Sequence, residues 1–336
     1  MRLGNTQFVR FIPAFAVVIL LMAAPAWIDV SIISLITKVL IFGLLAMSLD
    51  VVFGYVGLWS FCHAALFGVA AYTNGILIQH FDITSFWLAA PLSIGMAAGV
   101  SALFAWVGLR MSGIYFLLIT LALGQLIFSV AFVWREMTGG SQGLINIPYP
   151  DIGIDFSPTR YYYFTLIIIL ICSFALHHLL KSPFGYSLQG IRENETRMIT
   201  LGFNAWRHKF LAFVISGAFA GIAGILYVHY NGIIIPTGVD MASSGLIAIM
   251  VIIGGSGTLW GAMIGSGVIY ILSYFVSLFT PERWPLILGA CFVTAVMFAR
   301  GGIFPQLCKL WNRVITPTGK VLGAGSELIH DGSDEG

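Results

Sequence analysis

Long apolar runs, separated by shorter polar segments, follow one another along almost the whole chain. A helix needs about 20 mostly apolar residues to cross the roughly 30 Å hydrocarbon layer of a bilayer. The runs lie at 11–28, 32–53, 58–79, 86–109, 114–134, 161–180, 209–230, 242–253, 258–280 and 284–299. This pattern predicts an all-α integral membrane protein, a polytopic helical bundle of about ten transmembrane segments.

Two of the runs leave the number of spans open by one. The run 242–253 is short and is followed by Gly254, Gly255 and Gly257, so 242–257 is either a full span or a broken, re-entrant element buried in protein. The first run follows Arg2 and Arg10 and contains Ala-Pro-Ala at 24–26, and together these features imitate a signal peptide with its cleavage site. Cleavage there would leave nine spans without inverting the others. We take 1–320 as one transmembrane domain and 321–336 as a polar tail.

Composition agrees with the apolar pattern and supplies the orientation. Of the 336 residues 59% are hydrophobic and 9% are charged, and the net charge of +2 gives no basic face for nucleic acid. Cytoplasmic loops of membrane proteins are enriched in Lys and Arg. With the N-terminus inside, twelve such residues fall inside and three outside: Arg2, Arg10, Arg110, Lys181, Arg192, Arg197, Arg207, Lys209, Arg300, Lys309, Arg313 and Lys320 against Arg135, Arg160 and Arg283. We therefore expect both termini in the cytoplasm.

Two longer polar segments divide the apolar pattern. The outside segment 135–160 contains three prolines and is expected to form an ordered cap rather than a helix. A division there leaves about five spans on each side, and an odd number places the two halves in opposite orientations, as in inverted-repeat transporters. Only the short strings at 57–60 and 258–261, Gly-Leu-Trp-Ser and Thr-Leu-Trp-Gly, support a repeat.

The inside segment 181–209 has the pattern of a surface helix. Pro183 is suited to open a helix, 186–201 has helix-compatible composition, and Gly202 stands where a glycine ends a helix. The pattern alone favours an interfacial connector over a docking element for a partner.

A few polar groups lie within the apolar runs, where they are costly and often functional. Lys38, Asp50 and His63 are the candidates for ion coupling in a stand-alone carrier or channel. His63 and Gln125 each have two open interpretations, contact with a solute or a hydrogen bond between helices. The glycines at 139 and 140 are explained most simply by a turn, and those at 221 and 224 by close helix packing.

Signals for catalysis and for bound cofactors are weak. The chain has no phosphate-binding Gly-x-x-x-x-Gly-Lys-Ser/Thr loop, so a transporter built from it needs an energy source supplied by partners. Its four cysteines are far apart and show no metal-ligand spacing, so no metal and no cofactor are expected. Ser256 lies in a Gly-x-Ser-Gly string like that of rhomboid proteases, but the only later histidine is His330 in the polar tail. No catalytic residue is predicted.

Four blocks of sequence carry a resemblance to a known family. They are "GYVGLWSFCHAALFGVAAYT" at 54–73, "GIYFLLITLALGQLI" with "TGGSQGL" within 113–144, "SPFGYSLQGIRENETRMITLGFN" at 182–204, and "IIGGSGTLWGAMIG" at 252–265. In this order they resemble the LivM-type permeases of branched-chain amino acid ABC importers. The resemblance implies a fold like that of type II ABC permeases, and as partners a LivH-like second permease, two cytoplasmic ATPases and an extracytoplasmic solute-binding protein. It also implies a bacterial inner membrane.

The resemblance also assigns roles to individual residues. The segment 182–204 is similar to the coupling segment that docks in a groove of the ATPase. Its expected coupling residues are Ser182, Pro183, Phe184, Gly185, Arg192, Glu193, Asn194 and Gly202. The solute pathway is expected to include Gly57, Ser60, His63, Thr120, Gln125, Thr138, Gly139, Gly140 and Ser141.

Four positions depart from the family pattern near this pathway. Asp50 stands where asparagine is common, Cys62 where glycine is usual, Gln125 where glutamate is frequent, and Gln142 where an aspartate or asparagine is frequent. The same family includes permeases for urea, short amides and aromatic acids. The expected solute is therefore a branched-chain amino acid or a related amino acid, amide, urea or small carboxylate.

Overall fold

The computed structural model describes residues 19–153 and 156–279 and the short pieces 286–287, 289–290, 293–294 and 302–307. Between residues 30 and 279 the chain is mainly helical. The helices are α1 Val30–Asp50, α2 His63–Phe81, α3 Phe86–Gly108, α4 Ile114–Val133, α5 Arg135–Thr138, α6 Pro158–Leu180, α7 Pro183–Glu193, α8 Glu195–Thr200, α9 Ala205–Asn231, α10 Met241–Gly254 and α11 Leu259–Phe279. A π-helical turn, Val51–Val56, continues α1, and the strands β1 Leu144–Ile145 and β2 Ile233–Ile234 pair antiparallel.

Eight of the ten predicted apolar runs coincide with a helix, which agrees with a helical membrane protein. Within the described residues, six helices are long and apolar enough to cross a bilayer: Val30–Val56, Phe86–Gly108, Ile114–Val133, Pro158–Leu180, Ala205–Asn231 and Leu259–Ser277. Helix α2 has 19 residues and α10 has 14. The first part of the first run, 11–18, and most of the tenth lie outside the described residues, so the total of ten stays a prediction.

Helix α1 occupies the centre of the bundle. It packs against α6, α9, α10 and α11, and nearly all of its side chains from Leu40 onward are buried. Helix α4 contributes much less to the core. In its most apolar stretch 22% of the residues are buried, against 50% for α1 with its π-helical turn. The two helices are about equally apolar, so hydropathy alone does not separate the central one from the peripheral one.

Small residues bring α9 very close to its two neighbours α2 and α3. A Cβ atom on Gly224 would lie 2.1 Å from the carbonyl oxygen of Phe67, and one on Gly217 would lie 2.3 Å from the Cβ of Ser101. Close approach through small residues is the usual way that helices pack in a membrane, where the lipid is as apolar as the side chains. The packing role predicted for the glycines of α9 is confirmed.

The segment predicted as an ordered cap is mostly irregular and lies at the end of the bundle where α2, α4 and α9 finish. We call this end, predicted to be extracytoplasmic, the outer end. The cap contains the short helix α5 and the strand β1, which pairs with β2 directly after α9. The ring nitrogen Nδ1 of His229 is 2.8 Å from the carbonyl oxygen of Pro148, which ties the cap to α9.

Two sequence-based helix boundaries were wrong. The single helix predicted over 186–201 is two helices, because Asn194 has an extended backbone (φ −157°, ψ 97°) and its side chain accepts a hydrogen bond from the Arg197 N–H at 2.9 Å. Asparagine side chains compete in this way with the helix backbone and favour N-cap positions. The run predicted from 58 becomes helical only at His63, since Gly57 (φ 82°) ends the preceding turn in a left-handed conformation. The starting role of Pro183 is confirmed, and Gly202 (φ 90°) follows the end of α8 as predicted.

Candidate functional site

The residues Gly57–Cys62 form a non-helical loop between the π-helical turn and α2, held against α4. The N–H of Phe61 donates to the hydroxyl of Thr120 at 3.2 Å. Gly124 leaves room for this contact, because a Cβ atom there would lie 3.3 Å from the carbonyl oxygen of Phe61. The structure therefore brings Gly57, Ser60 and Thr120, three of the predicted pathway residues, to one place.

His63 connects three helices. Its Nδ1 is 3.3 Å from the hydroxyl of Ser60, and its Nε2 is 2.7 Å from the hydroxyl of Ser216 in α9. Ser216 in turn donates to the backbone carbonyl of Ser48 in α1. With both ring nitrogens engaged and 1% of its surface exposed, this histidine matches the interhelical alternative; contact with a solute stays a prediction.

The remaining predicted pathway residues lie farther along α4 and at the outer end. Gln125 is half-buried in α4. Thr138 is bonded within its own chain segment, donating to the carbonyls of Ala131 and Trp134 at 2.7 and 2.6 Å. Gly139 and Gly140 have φ of 74° and 60°, which confirms the turn, and Ser141 is exposed. The 13 residues from Thr120 to the end of α4 rise about 20 Å, so the predicted pathway residues form two separate groups.

A cleft of about 750 Å³ opens at the opposite, predicted cytoplasmic end. The π-helical turn, the Gly57–Cys62 loop, the α3–α4 connection, the surface segment, α9, and α10 with the loop after it all contribute to its lining. The lining residues are Phe53, Val56, Gly57, Leu58, Trp59, Leu109, Met111, Ser112, Gly113, Ile191, Arg192, Glu195, Lys209, Ile252 and Ser256. Lys209 and Glu195 form an ion pair of 2.6 Å at its edge. Sequence reasoning did not select Trp59, Lys209 or Ser256, although Trp59 lies in one of the two similar short strings.

Arg192 from the surface segment reaches the end of α1. Its Nη1 donates to the backbone carbonyl of Gly54 in the π-helical turn. The Asp50 carboxylate lies close by, fully buried, and its Oδ1 accepts a hydrogen bond of 2.7 Å from the Gly257 N–H. The sequence singled out Asp50 and Arg192 for unrelated reasons and gave no indication that they lie near the same helix break.

Several predicted coupling residues have clear structural functions within the surface segment. Ser182 precedes α7 as its N-cap residue, and Pro183 is in its first turn. A Cβ atom on Gly185 would lie 2.1 Å from the Leu180 carbonyl oxygen, so only glycine fits there. The ring of Phe184 stacks on His208 at 5.8 Å, and Glu193 is exposed. Docking itself stays a prediction.

Apolar side chains are exposed on the same surface segment, in α7, in α8 and directly after α8. No residue of α8 is buried. Tyr186, Ile199, Leu201 and Phe203 are exposed by 63%, 55%, 66% and 41%. This apolar surface, which we call the α7–α8 surface, adjoins the cleft at the predicted cytoplasmic end.

The three ionisable groups considered for ion coupling do not form one cluster of contacts. His63 is bonded to Ser216, and Asp50 to the backbone of Gly257. The ammonium group of Lys38 lies 5.9 Å from the centre of the Tyr230 ring. Each group therefore has its own partner on a different part of the bundle.

Taken together, apolar spanning helices, a helix break lined with small and polar residues and an exposed cytoplasmic-side segment define a helical membrane permease. The chain belongs to the family described as branched-chain amino acid transport system / permease component, which matches residues 31–299. As a member of a permease family it is not an enzyme, as predicted.

Individual relatives agree with this assignment. The chain is 28% identical over 316 residues to the high-affinity branched-chain amino acid transport system permease protein LivM of Escherichia coli K12, covering 87% of this chain and 74% of LivM. It is 26% identical over 338 residues to the autoinducer 2 import system permease protein LsrC of Shigella flexneri, covering 94% and 96% of the two chains. Over 193 residues it is 30% identical to the nucleoside ABC transporter permease protein NupC of Lactococcus lactis, covering 52% of this chain and 59% of NupC. No solved structure matches the chain.

Proposed function

We propose that this chain is one permease subunit of an ATP-binding-cassette importer in a bacterial inner membrane. Its partners are a LivH-like second permease, two cytoplasmic ATPases and an extracytoplasmic solute-binding protein. The observation that carries the proposal is the family match over residues 31–299. Similarity to both LivM and LivH proteins supports a pair of related permeases.

The solute in this proposal is small and polar or amphipathic. The relatives are named for branched-chain amino acids, nucleosides and autoinducer 2. This variety supports a general class of solute rather than one particular compound. A branched-chain amino acid or related amino acid is our first choice, followed by an amide, urea or a small carboxylate. The solute passes between the two permeases while the ATPases alternate the side to which the pathway opens.

The proposed topology has about ten spans in two inverted halves, with both termini in the cytoplasm. The excess of Lys and Arg in the predicted inside loops supports this orientation. In this topology the α7–α8 surface faces the cytoplasm. Its exposed apolar side chains suit a surface that is covered by an ATPase.

Affinity purification of the tagged chain from native membranes tests the proposal. Wild type is expected to recover an ATPase and a second permease. Ile199→Asp, on the α7–α8 surface, is expected to lose the ATPase because a charge replaces an exposed apolar contact. Ile235→Asp is the matched control, since Ile235 is also exposed, by 41%, but follows β2 at the outer end.

Two results would contradict these expectations. One is a wild-type chain that purifies alone and still moves solute in liposomes without ATP, which is the behaviour of a stand-alone carrier or channel. The other, which rejects only the docking site, is equal recovery of the ATPase with Ile199→Asp and Ile235→Asp.

A further inference from the structure

We propose that Arg192 is a positioning residue with two alternative acceptors, the Gly54 carbonyl in the present structure and the Asp50 carboxylate after a movement of α7. The inference rests on the proposed function, because it concerns how movement of the α7–α8 surface reaches the spanning helices. It also changes the role of Arg192, which the sequence placed among the residues that touch the ATPase.

The side chain of Arg192 lies in a groove made by three glycines. Its Nη1 donates to the carbonyl of Gly54. A Cβ atom on Gly57 would lie 2.9 Å from the Cγ of Arg192, and one on Gly257 would lie 3.2 Å from its Nη1. Gly57 and Gly257 both have positive φ, 82° and 78°. The groove therefore depends on residues without side chains, and it holds the arginine against two helix breaks at once.

Asp50 supplies a second acceptor that is not satisfied in this structure. Its Oδ1 is bonded to the Gly257 N–H, but its Oδ2 is buried and has no hydrogen-bond partner. Burying a polar oxygen without a hydrogen-bond partner is costly in general. The guanidinium of Arg192 lies against the neighbouring Gly54 and donates to its carbonyl instead. A second state in which Arg192 binds Oδ2 removes that cost.

The two acceptors are close enough for one side chain to serve both. Gly54 follows Asp50 by four residues, about one turn of the helix. A Cβ atom on Gly54 would lie 2.1 Å from Asp50 Oδ1, so the carboxylate lies directly against this glycine. A shift of α7 by less than a turn transfers the guanidinium from one acceptor to the other. Discrete alternatives of this kind are how small shifts become switches between states.

The test uses the intact importer in liposomes and measures solute taken up per ATP hydrolysed. Asp50→Asn and Arg192→Gln are each expected to lower this ratio by roughly 2- to 30-fold, the range seen for residues that carry coupling. The ATPase should still co-purify with both variants. The double variant should be no worse than either single one, since partners in one interaction are not additive. Arg192→Lys keeps the positive charge and should recover part of the ratio.

Arg110→Gln is the control because Arg110 is also an exposed arginine at the predicted cytoplasmic end, but it follows α3 and lies outside the surface segment. It is expected to leave the ratio unchanged. Loss of the ATPase from Arg192→Gln, or multiplied effects in the double variant, would overturn the inference. If Asp50→Asn does not fold, Arg192→Gln and Arg192→Lys decide. The inference is then overturned if both variants take up as much solute per ATP hydrolysed as wild type. Wild type without ATP-dependent uptake rejects the proposed function itself, whereas wild-type uptake with fully coupled variants rejects only this inference.

Discussion

Gly224→Ala tests the close packing of α9 against α2. The added Cβ atom would lie 2.1 Å from the carbonyl oxygen of Phe67, where ordinary contact begins at 3.4 Å. The obstacle is backbone, so no side chain can rotate away and the helices must separate by about 1.3 Å, the difference between these two distances. Overpacking of this kind costs about 1–3 kcal/mol.

The gain in helix propensity from glycine to alanine, about 1 kcal/mol, hides part of this cost. Gly99→Ala provides the correction. Gly99 is also inside a helix, α3, but a Cβ atom there would meet nothing within 4 Å. Both variants gain the same propensity, so the difference in their free energies of unfolding isolates the clash. We expect Gly224→Ala to be less stable than Gly99→Ala by about 1–3 kcal/mol, or roughly 5- to 150-fold in the unfolding equilibrium.

Denaturant titration of the purified chain in detergent, followed by tryptophan fluorescence, measures this difference. Thermal unfolding by the same signal gives a second reading. Equal midpoints and slopes for the two alanine variants would refute the close approach of α2 and α9. A destabilised Gly99→Ala would show instead that the α3 surface at this position is covered by something other than detergent.

Two further predictions concern hydrogen bonds between helices. Ser216→Ala removes the partner of His63 Nε2 and should lower the free energy of unfolding by about 1–2 kcal/mol, measured by the same titration; unchanged stability would contradict the link. Tyr161→Phe removes the 2.6 Å bond from its hydroxyl to the Leu226 carbonyl and should cost about 0.5–1.5 kcal/mol, whereas Tyr163→Phe, whose longer bond is at an exposed position, should cost less.

The spanning helices were predictable because the length and apolarity of a span are local requirements. Six of the runs from 32–53 to 258–280 coincide with a helix that satisfies them within its own residues. The ends of the helices were less predictable. The break at Asn194 depends on a side chain that caps a new helix. The surface segment contains several other polar residues, and the sequence alone does not indicate which of them is the N-cap.

The candidate site was predictable only in part. The glycine-rich block and the surface segment were recognised as regions. Ser60 does contact His63, and Thr120 binds the backbone of the intervening Phe61. The direction of Arg192 was not foreseen, since a charged residue on a surface helix ordinarily faces outward. Of the three glycines that form its groove, Gly54 and Gly57 lie 138 and 135 residues before Arg192 in the sequence, and Gly257 lies 65 residues after it.

Sequence by itself determined that this chain spans a membrane, where most of its helices run, and to which permease family it belongs, because these depend on composition, on local length and on strings of neighbouring residues. Tertiary structure decided which helix is central and which polar groups become partners. The bonds between His63 and Ser216 and between Asp50 and Gly257 join residues 153 and 207 positions apart. Apolar helices in a bilayer gain little from hydrophobic burial against one another, so close packing of small residues sets their arrangement, and hydropathy does not record it.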